Sequence, residues 1–278
     1  MVQTGFHTIH FSPMFGAAAS VVEVIRLTGA AGFDAIGVDA ASVQAHGAVD
    51  EVAGAISDAG LVCSDVLVLM AGADEALPTT ARALGRLASA LGAPACIAAI
   101  AAPVAPEVLV PSLGECASIL ADHGCRLAVE FIPYGPLPSL ADAVALCDAI
   151  GWDRCGLVLD SLHFCRSGSG WDDLSALAAE QIAVVQWSDV PAAPPESLAE
   201  ESRHGRLLPG EGELPLGDLA AAIRATGWDG IATAEILSDD FRLTAPEIAI
   251  PAAHAAMASP AAGWRRADES AAATSEAG

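Results

Sequence analysis

A chain of 278 residues has the length of one large α/β barrel domain. Hydrophobic residues make up 53% and aromatic residues only 5%, so the core must consist mainly of small aliphatic side chains. The net charge of −23 argues against nucleic acid or an anionic membrane as a partner, because phosphate binding needs clustered arginine or lysine.

The chain contains no lysine, which excludes Schiff-base chemistry, pyridoxal phosphate attachment through a lysine of this chain, and a P-loop. The seven cysteines are odd in number and form no C-x-x-C pair, so we expect reduced, buried thiols in a cytoplasmic protein. The N-terminal segment does not resemble a signal peptide. Prolines and a glutamate interrupt the most apolar stretch, residues 93–110, so no membrane span is predicted.

Eight short apolar segments predict β-strands. In chain order they are FHTIHF near residue 6, FDAIGVDA near 33, LVCSDVLVL near 61, ACIAAIAA near 95, RLAVEFI near 126, CGLVLDSL near 155, IAVVQWSD near 182 and IATAEIL near 231. Segments with helical spacing lie between them, at 17–32, 49–60, 75–92, 107–124, 139–151, 171–180 and 216–227.

This alternation of strands and helices predicts parallel strands, and eight units predict a single (β/α)8 TIM barrel over residues 1–258. An open doubly wound sheet is the alternative, although no G-x-G-x-x-G follows the first strand. The Pro/Glu-rich composition of residues 190–214 predicts a long loop on the catalytic face. The small and polar residues of 259–278 predict a disordered C-terminal tail.

Four oxygen-bearing residues stand at the carboxyl ends of the last four predicted strands. They are Glu130 in LAVEF, Asp160 in GLVLDSLHF, Gln186 in IAVVQWSD and Glu235 in IATAEIL. The carboxyl ends of barrel strands converge on one face, so these side chains are predicted to meet in one pocket. Because bare carboxylates repel one another, a divalent cation is expected among them, and oxygen ligands suit Mn²⁺ or Mg²⁺ better than Zn²⁺. For any one acidic residue alone, a helix cap or an ion pair is the competing interpretation.

Four motifs, GLVLDSLHFCRSG, VVQWSD, RLLPGEGELPL and GWDGIATAEI, together resemble the xylose isomerase-like TIM barrels of the sugar phosphate isomerase/epimerase family. The similarity spans about residues 5–250. That family includes ketose 3-epimerases, inosose dehydratases, 3-dehydroshikimate dehydratase-type lyases and, more distantly, endonuclease IV-type DNA repair enzymes.

The resemblance implies a metal held by Glu, Asp, His and Glu from successive strands. These positions match Glu130, Asp160, Gln186 and Glu235 in this sequence. Gln186 departs from the commoner histidine, which disfavours nickel or zinc. Mn²⁺ is therefore the expected cofactor, with Mg²⁺ or Co²⁺ as alternatives.

The resemblance also places His163 and Arg206 beside the substrate. His163 could act as an acid near neutral pH or support a ligand by a hydrogen bond, and Arg206 could bind substrate or neutralise an acidic pocket. Asp189 is expected to support the metal ligands. Further candidates near the barrel mouth are His7, Arg166 and His10, the last as a substrate ligand or as a structural histidine.

These residues predict a metal-dependent sugar isomerase or epimerase, with Glu130 or Glu235 as the base next to a polarised carbonyl. A dehydratase of inosose-like or 3-dehydroshikimate-like cyclic keto-polyols, with His163 as the acid, is the alternative. A DNA repair enzyme and a non-catalytic sugar-binding barrel are more remote.

The expected partner is a small polyol or keto-sugar, without phosphate because basic residues are few. The SGSG at 167–170 could be a phosphate site or a plain turn. A homo-oligomer is implied by the resemblance.

Overall fold

Eight parallel strands form a closed barrel in which each strand pairs with the next and the eighth pairs with the first. The computed structural model describes residues 2–17, 19–72 and 76–264. The strands are β1 (Gln3–His7), β2 (Ala35–Asp39), β3 (Val62–Ala71), β4 (Ala95–Ile100), β5 (Arg126–Glu130), β6 (Cys155–Asp160), β7 (Ile182–Trp187) and β8 (Ile231–Ala234). The predicted TIM barrel is confirmed, and the open sheet is excluded.

Helices connect the strands in the alternating order predicted from the sequence. Within the described ranges they are α1 (Val21–Ala31), α2 (Ala40–His46), α3 (Val49–Asp58), α4 (Leu77–Leu91), α5 (Pro106–Ala121), α6 (Leu140–Ile150), α7 (Ser161–Ser167), α8 (Trp171–Ser175), α9 (Leu198–His204), α10 (Leu216–Ala225), α11 (Asp239–Leu243) and α12 (Pro246–Met257). Short 3-10 helices cover Thr8–Phe11, Pro13–Phe15, Ala179–Gln181 and Pro260–Ala262.

The predicted boundaries needed two corrections. The first strand ends at His7, and Thr8–Phe11 is a 3-10 helix that the sequence analysis had joined to that strand. Five of the described helices were not predicted. One is α12, a 12-residue helix after the last predicted strand that contains Pro251. The other four, α2, α7, α9 and α11, have five to seven residues each. They are too short to show a clear helical period, and all four lie in segments that follow a strand.

The barrel interior and the space outside the sheet form two separate apolar cores. The inner core consists of Ile9, Leu67, Ala95, Ile97, Ala128, Val158, Val184 and Leu237. Ala128, Val158 and Val184 each lie two positions before one of the predicted ligands. Side chains alternate across a strand, so the ligands above them face the same interior.

The loop after β7 is organised by buried polar side chains. Asp189 accepts hydrogen bonds from the backbone N–H groups of Gly210 (2.9 Å) and Leu214 (3.0 Å), so it holds the PGEGE turn. Arg166 pairs with Glu201 of α9 at 2.7 Å and donates to the carbonyl of Pro191 at 2.7 Å. The two hydrogen bonds to Asp189 give it a structural role in this loop, in place of the metal-supporting role predicted from the sequence.

The described part of the predicted tail is packed against the barrel. Trp187 Nε1 donates to the carbonyl of Ala262 at 3.0 Å, and the Trp264 ring lies 4.5 Å from the Trp187 ring. Residues 259–264 thus close the outer side of β7, and the rest of the predicted tail, 265–278, lies outside the described residues. Within the described ranges, none of the helices combines the length and the apolar character needed to cross a bilayer.

The barrel depends on a glycine beside a buried ion pair, and this gives a first prediction. A Cβ at Gly37 would overlap the His7 ring and lie 3.0 Å from Asp65 Oδ2. Gly37→Ala should therefore lower the free energy of unfolding by about 1–3 kcal/mol, because this well-packed site has no room. Chemical denaturation measures it. The matched control is Gly54→Ala inside α3, where nothing lies within 4 Å of the new methyl group and a gain of about 0.5–1 kcal/mol is expected.

Candidate active site

The structure brings the four predicted ligands into one pocket at the carboxyl ends of the strands. Asp160 and Gln186 are neighbours in the register of β6 and β7. Gln186 Nε2 donates to Glu235 Oε1 at 2.7 Å across to the end of β8. Glu130, Asp160 and His163 present ligand atoms within 4.8 Å of one another. Three carboxylates, one amide and one imidazole therefore share a small, mostly buried space.

Arg206 is the buried cation of this pocket. Its Nη1 lies 2.6 Å from Asp160 Oδ2 and 3.2 Å from Glu235 Oε2, and the guanidinium is 1% exposed. Nη1 also reaches Ser188 Oγ at 3.3 Å, and Nε donates to the carbonyl of Ser202 at 2.8 Å. Because the protein uses these donors itself, the geometry favours the neutralising interpretation of Arg206 over the predicted substrate-binding one.

The charges in the pocket divide its acidic groups into two kinds. Burial acts to raise the pKa of Asp160, but the Arg206 guanidinium and the neighbouring His163 together hold that pKa below its ordinary value. Burial raises the pKa of Glu235 to about 7, and the charges of Asp160 and Glu130 add to this, while Arg206 opposes it. Asp160 is therefore a fixed anion, and Glu235 exchanges protons close to neutral pH.

Glu130 and His163 form the less encumbered side of the pocket. His163 Nε2 lies 3.3 Å from Glu130 Oε1, and the Glu130 side chain is 13% exposed, against 6% for Glu235. His163 Nδ1 is buried and has no hydrogen-bond partner among the described residues. The backbone of His163 is fixed, because Asp160 caps the start of α7 and accepts a hydrogen bond from the His163 N–H at 2.9 Å.

The donor set fits a divalent cation. Gln186 uses its Nε2 on Glu235, which leaves Oε1 buried and without a partner in the described parts of the chain. A buried acceptor without a donor is costly unless a ligand satisfies it. With the carboxylates of Glu130, Asp160 and Glu235 nearby, this oxygen suits a divalent cation.

His10 has no free group for a substrate, which corrects its predicted binding role. Its Nε2 accepts from the Ile236 N–H at 2.7 Å, and its Nδ1 donates to the His7 carbonyl at 2.5 Å. The ring stacks on Phe6 at 4.3 Å, and burial lowers its pKa to about 3. His10 is thus a neutral structural histidine that joins the segments after the first and last strands.

Two further polar features near the pocket escaped the sequence analysis. Asp65, hidden within an apolar strand segment, accepts from His7 Nε2 at 3.1 Å inside the barrel. Tyr134, the single tyrosine of the chain, lies after β5, with its ring edge-to-face to His163 at 6.1 Å. Asp65 could have been found from the sequence, because an acidic residue inside an apolar strand is unusual. Tyr134 could not, because only the fold brings it to His163.

A closed (β/α)8 barrel that gathers carboxylates, an amide and a histidine at its carboxyl-end mouth has the architecture of a barrel enzyme. Residues 25–265 match the family described as "Xylose isomerase-like TIM barrel". The chain belongs to this family, as its motifs indicated.

Curated relatives with similar sequences fall into two groups. An inosose isomerase of Halalkalibacterium halodurans is 29% identical over 143 residues, which cover 51% of this chain and 50% of that protein. A 3-dehydroshikimate dehydratase of Pseudomonas putida is 36% identical over 137 residues, which cover 49% of this chain and 21% of that protein. The chain thus matches at most about half the length of these relatives.

Solved structures show the same barrel. The IOLI protein, solved with a bound zinc atom, superimposes with a TM-score of 0.83 at 18% identity, covering 95% of this chain and 99% of that one. An L-ribulose 3-epimerase superimposes with a TM-score of 0.74 at 19% identity, covering 99% and 97%. At these identities the similarity establishes the fold alone.

Proposed function

We propose that this chain is a metal-dependent isomerase that removes a proton next to the carbonyl of a small hydroxyketone. The observation that carries the proposal is the division of the pocket. Glu130 is its most exposed carboxylate and lies against His163, and Asp160, Gln186 and Glu235 supply oxygens at its more buried side. Inosose isomerases among the curated relatives support the same class of substrate.

Glu130, Asp160, Gln186 and Glu235 would hold the cation, most simply Mn²⁺, and Asp160 stays anionic there. When bound, the ion polarises the substrate carbonyl and stabilises negative charge on its oxygen. The unpartnered Gln186 Oε1 supports this ligand set.

Glu130 is the proposed base. It is the most exposed carboxylate of the cluster, and its described polar contact is with His163, which orients it and can exchange a proton with it. Glu235 is held by both Gln186 and Arg206, so it is less free to move. One mobile base suits an isomerase that returns the proton on the same face better than an epimerase that needs a second base.

Solvent-hydrogen exchange tests this proposal before any product is known. Hydroxyketones such as ketoses, inososes and 3-dehydroshikimate are incubated with the Mn²⁺-loaded protein in heavy water. Recovered substrate or product should carry one carbon-bound deuterium, detected by mass spectrometry. A chelator should stop the exchange, and added Mn²⁺ should restore it. Exchange that continues unchanged in the chelator would contradict the assigned metal dependence.

A dehydratase is the second candidate, and the contact between His163 and Glu130 favours it. Glu130 would take the proton from carbon while His163 protonates the departing β-hydroxyl, so that water leaves and an enone forms. Identity of 30% and 36% to two 3-dehydroshikimate dehydratases points the same way. If this is the reaction, a strong ultraviolet absorbance should grow with 3-dehydroshikimate or an inosose. An isomeric product without new absorbance would support the isomerase instead.

A further inference from the structure

The catalytic face contains one arginine without a carboxylate partner. Four arginines lie in the short helices α7, α9 and α11 or, in the case of Arg206, directly after α9. Three of them pair with carboxylates of the protein, Arg166 with Glu201, Arg206 with Asp160 and Glu235, and Arg242 with Asp239. The guanidinium of Arg203 makes no hydrogen bond or ion pair with any residue that the structure describes. In an acidic chain without lysine, an unpaired cation at this place calls for an explanation.

Arg203 stands at the outer end of a row of side chains that leads into the pocket. Its guanidinium lies over the Tyr134 ring, 5.7 Å from the ring centre. The Tyr134 ring meets His163 edge-to-face at 6.1 Å, and His163 Nε2 lies 3.3 Å from Glu130. The exposed cation is therefore separated from the proposed base by two aromatic rings.

The surrounding contacts hold the backbone that carries Arg203 in place. Its carbonyl accepts a hydrogen bond from Arg242 Nη2 at 2.9 Å, and the preceding Ser202 accepts from Arg206. The Arg166–Glu201 pair fixes the same helix, α9, to the loop after β7. Because the backbone of α9 is already held, anion binding has to order only the Arg203 side chain.

We propose that Arg203 and the Tyr134 hydroxyl bind a carboxylate of the substrate at the mouth of the pocket. The planar guanidinium suits a carboxylate, and the Tyr134 hydroxyl, which has no partner among the described residues, adds a second donor. The substrate is then a hydroxyketone acid, with its carbonyl end at the metal site and its carboxylate at Arg203. This inference rests on the proposed function. It also favours a charged substrate, such as that of the 3-dehydroshikimate dehydratases, over a neutral one, such as that of the inosose isomerases.

A phosphate is the less favoured anion, because the serines that could have bound it are used by the fold. Ser167 Oγ donates to the Phe164 carbonyl at 2.9 Å and lies 2.7 Å from Ser169 Oγ. Ser169 Oγ also accepts from the Leu140 N–H at 3.1 Å. The SGSG segment is thus a structural turn, and Arg203 with one hydroxyl is a small site better matched to a carboxylate.

A matched pair of ring ligands tests the proposal. Catechol and 3,4-dihydroxybenzoate offer the same two adjacent oxygens to a bound cation and differ in one carboxylate. Calorimetric titration of the Mn²⁺-loaded protein should show about ten- to hundredfold tighter binding of 3,4-dihydroxybenzoate, as a charge-assisted hydrogen bond provides. Arg203→Gln should bring the two affinities close together and leave catechol and Mn²⁺ binding unchanged. Tyr134→Phe should remove a smaller part of the difference.

Arg86→Gln is the control, because it removes one positive charge from an exposed position on the outer helix α4. It should keep the full preference for the carboxylate. A preference that survives Arg203→Gln, or equal binding of both ligands by the parent protein, would overturn the proposal. So would competition by inorganic phosphate that disappears in Arg203→Gln, since it would assign Arg203 to a phosphate.

Failure of the proposed function gives a different result. If Mn²⁺ does not bind, or if catechol binds equally well in a chelator, the metal site itself is refuted and the carboxylate assignment falls with it. Metal-dependent catechol binding without any carboxylate preference refutes only the role of Arg203.

Discussion

Glu130→Gln should lower kcat by about a hundred- to ten-thousandfold, because it removes the most exposed carboxylate of the described pocket, which is the proposed base. The change is nearly isosteric, and the side chain is partly exposed, so the fold should not suffer. Rates of deuterium uptake at saturating substrate and Mn²⁺ measure the effect. Circular dichroism and the thermal midpoint establish that the variant is folded.

The comparison with Glu235→Gln makes this prediction specific. Glu235 is held by Gln186 and Arg206, so its replacement should weaken Mn²⁺ binding as well as turnover. Excess Mn²⁺ should then restore part of the rate in Glu235→Gln and much less in Glu130→Gln. Equal rescue of both variants would show that Glu130 acts as a ligand alone and that the base lies elsewhere.

Arg206→Ala should destabilise the metal-free protein by about 3–5 kcal/mol, the usual cost of removing one partner from a buried ion pair. The guanidinium is 1% exposed and contacts Asp160 at 2.6 Å, so its loss leaves buried negative charge without compensation. Urea denaturation in the presence of a chelator gives the free energy of unfolding. Arg26→Ala, which breaks an exposed pair with Glu23, is the control and should cause no measurable change.

A double-mutant cycle shows whether this cost comes from the charge. Asp160→Asn removes the closest carboxylate, so Arg206→Ala should cost less in that background than in the parent chain. Added Mn²⁺ should recover more stability in Arg206→Ala than in the parent, because a cation can replace the lost positive charge. A strictly additive cycle would mean that Arg206 stabilises the fold through packing and not through its charge.

The architecture could be predicted because it depends on short-range patterns. Each buried parallel strand is a run of aliphatic residues, each helix has its own period, and eight such units of this length close a barrel. The two-residue period of a strand also placed Glu130, Asp160 and Gln186 above Ala128, Val158 and Val184, on the inner face.

The roles of individual polar side chains could not be predicted in the same way. Arg206 and Asp160 lie 46 positions apart, and His10 and the Ile236 N–H that binds it lie 226 apart. Arg206 neutralises a buried carboxylate, whereas the Arg203 guanidinium stays unpaired among the described residues. The difference depends on which atoms the closed barrel brings within hydrogen-bond distance.

The sequence by itself therefore determined the barrel and the four oxygen-bearing residues that lie at the carboxyl ends of its strands, because strand and helix periods act over a few neighbouring residues. Only the tertiary structure decided that His10 is structural, that Arg206 is paired inside the pocket and that Tyr134 joins Arg203 to His163. Hydrogen bonds and ion pairs have a reach of a few ångströms, and distances of that size between remote residues exist only once the chain has closed on itself.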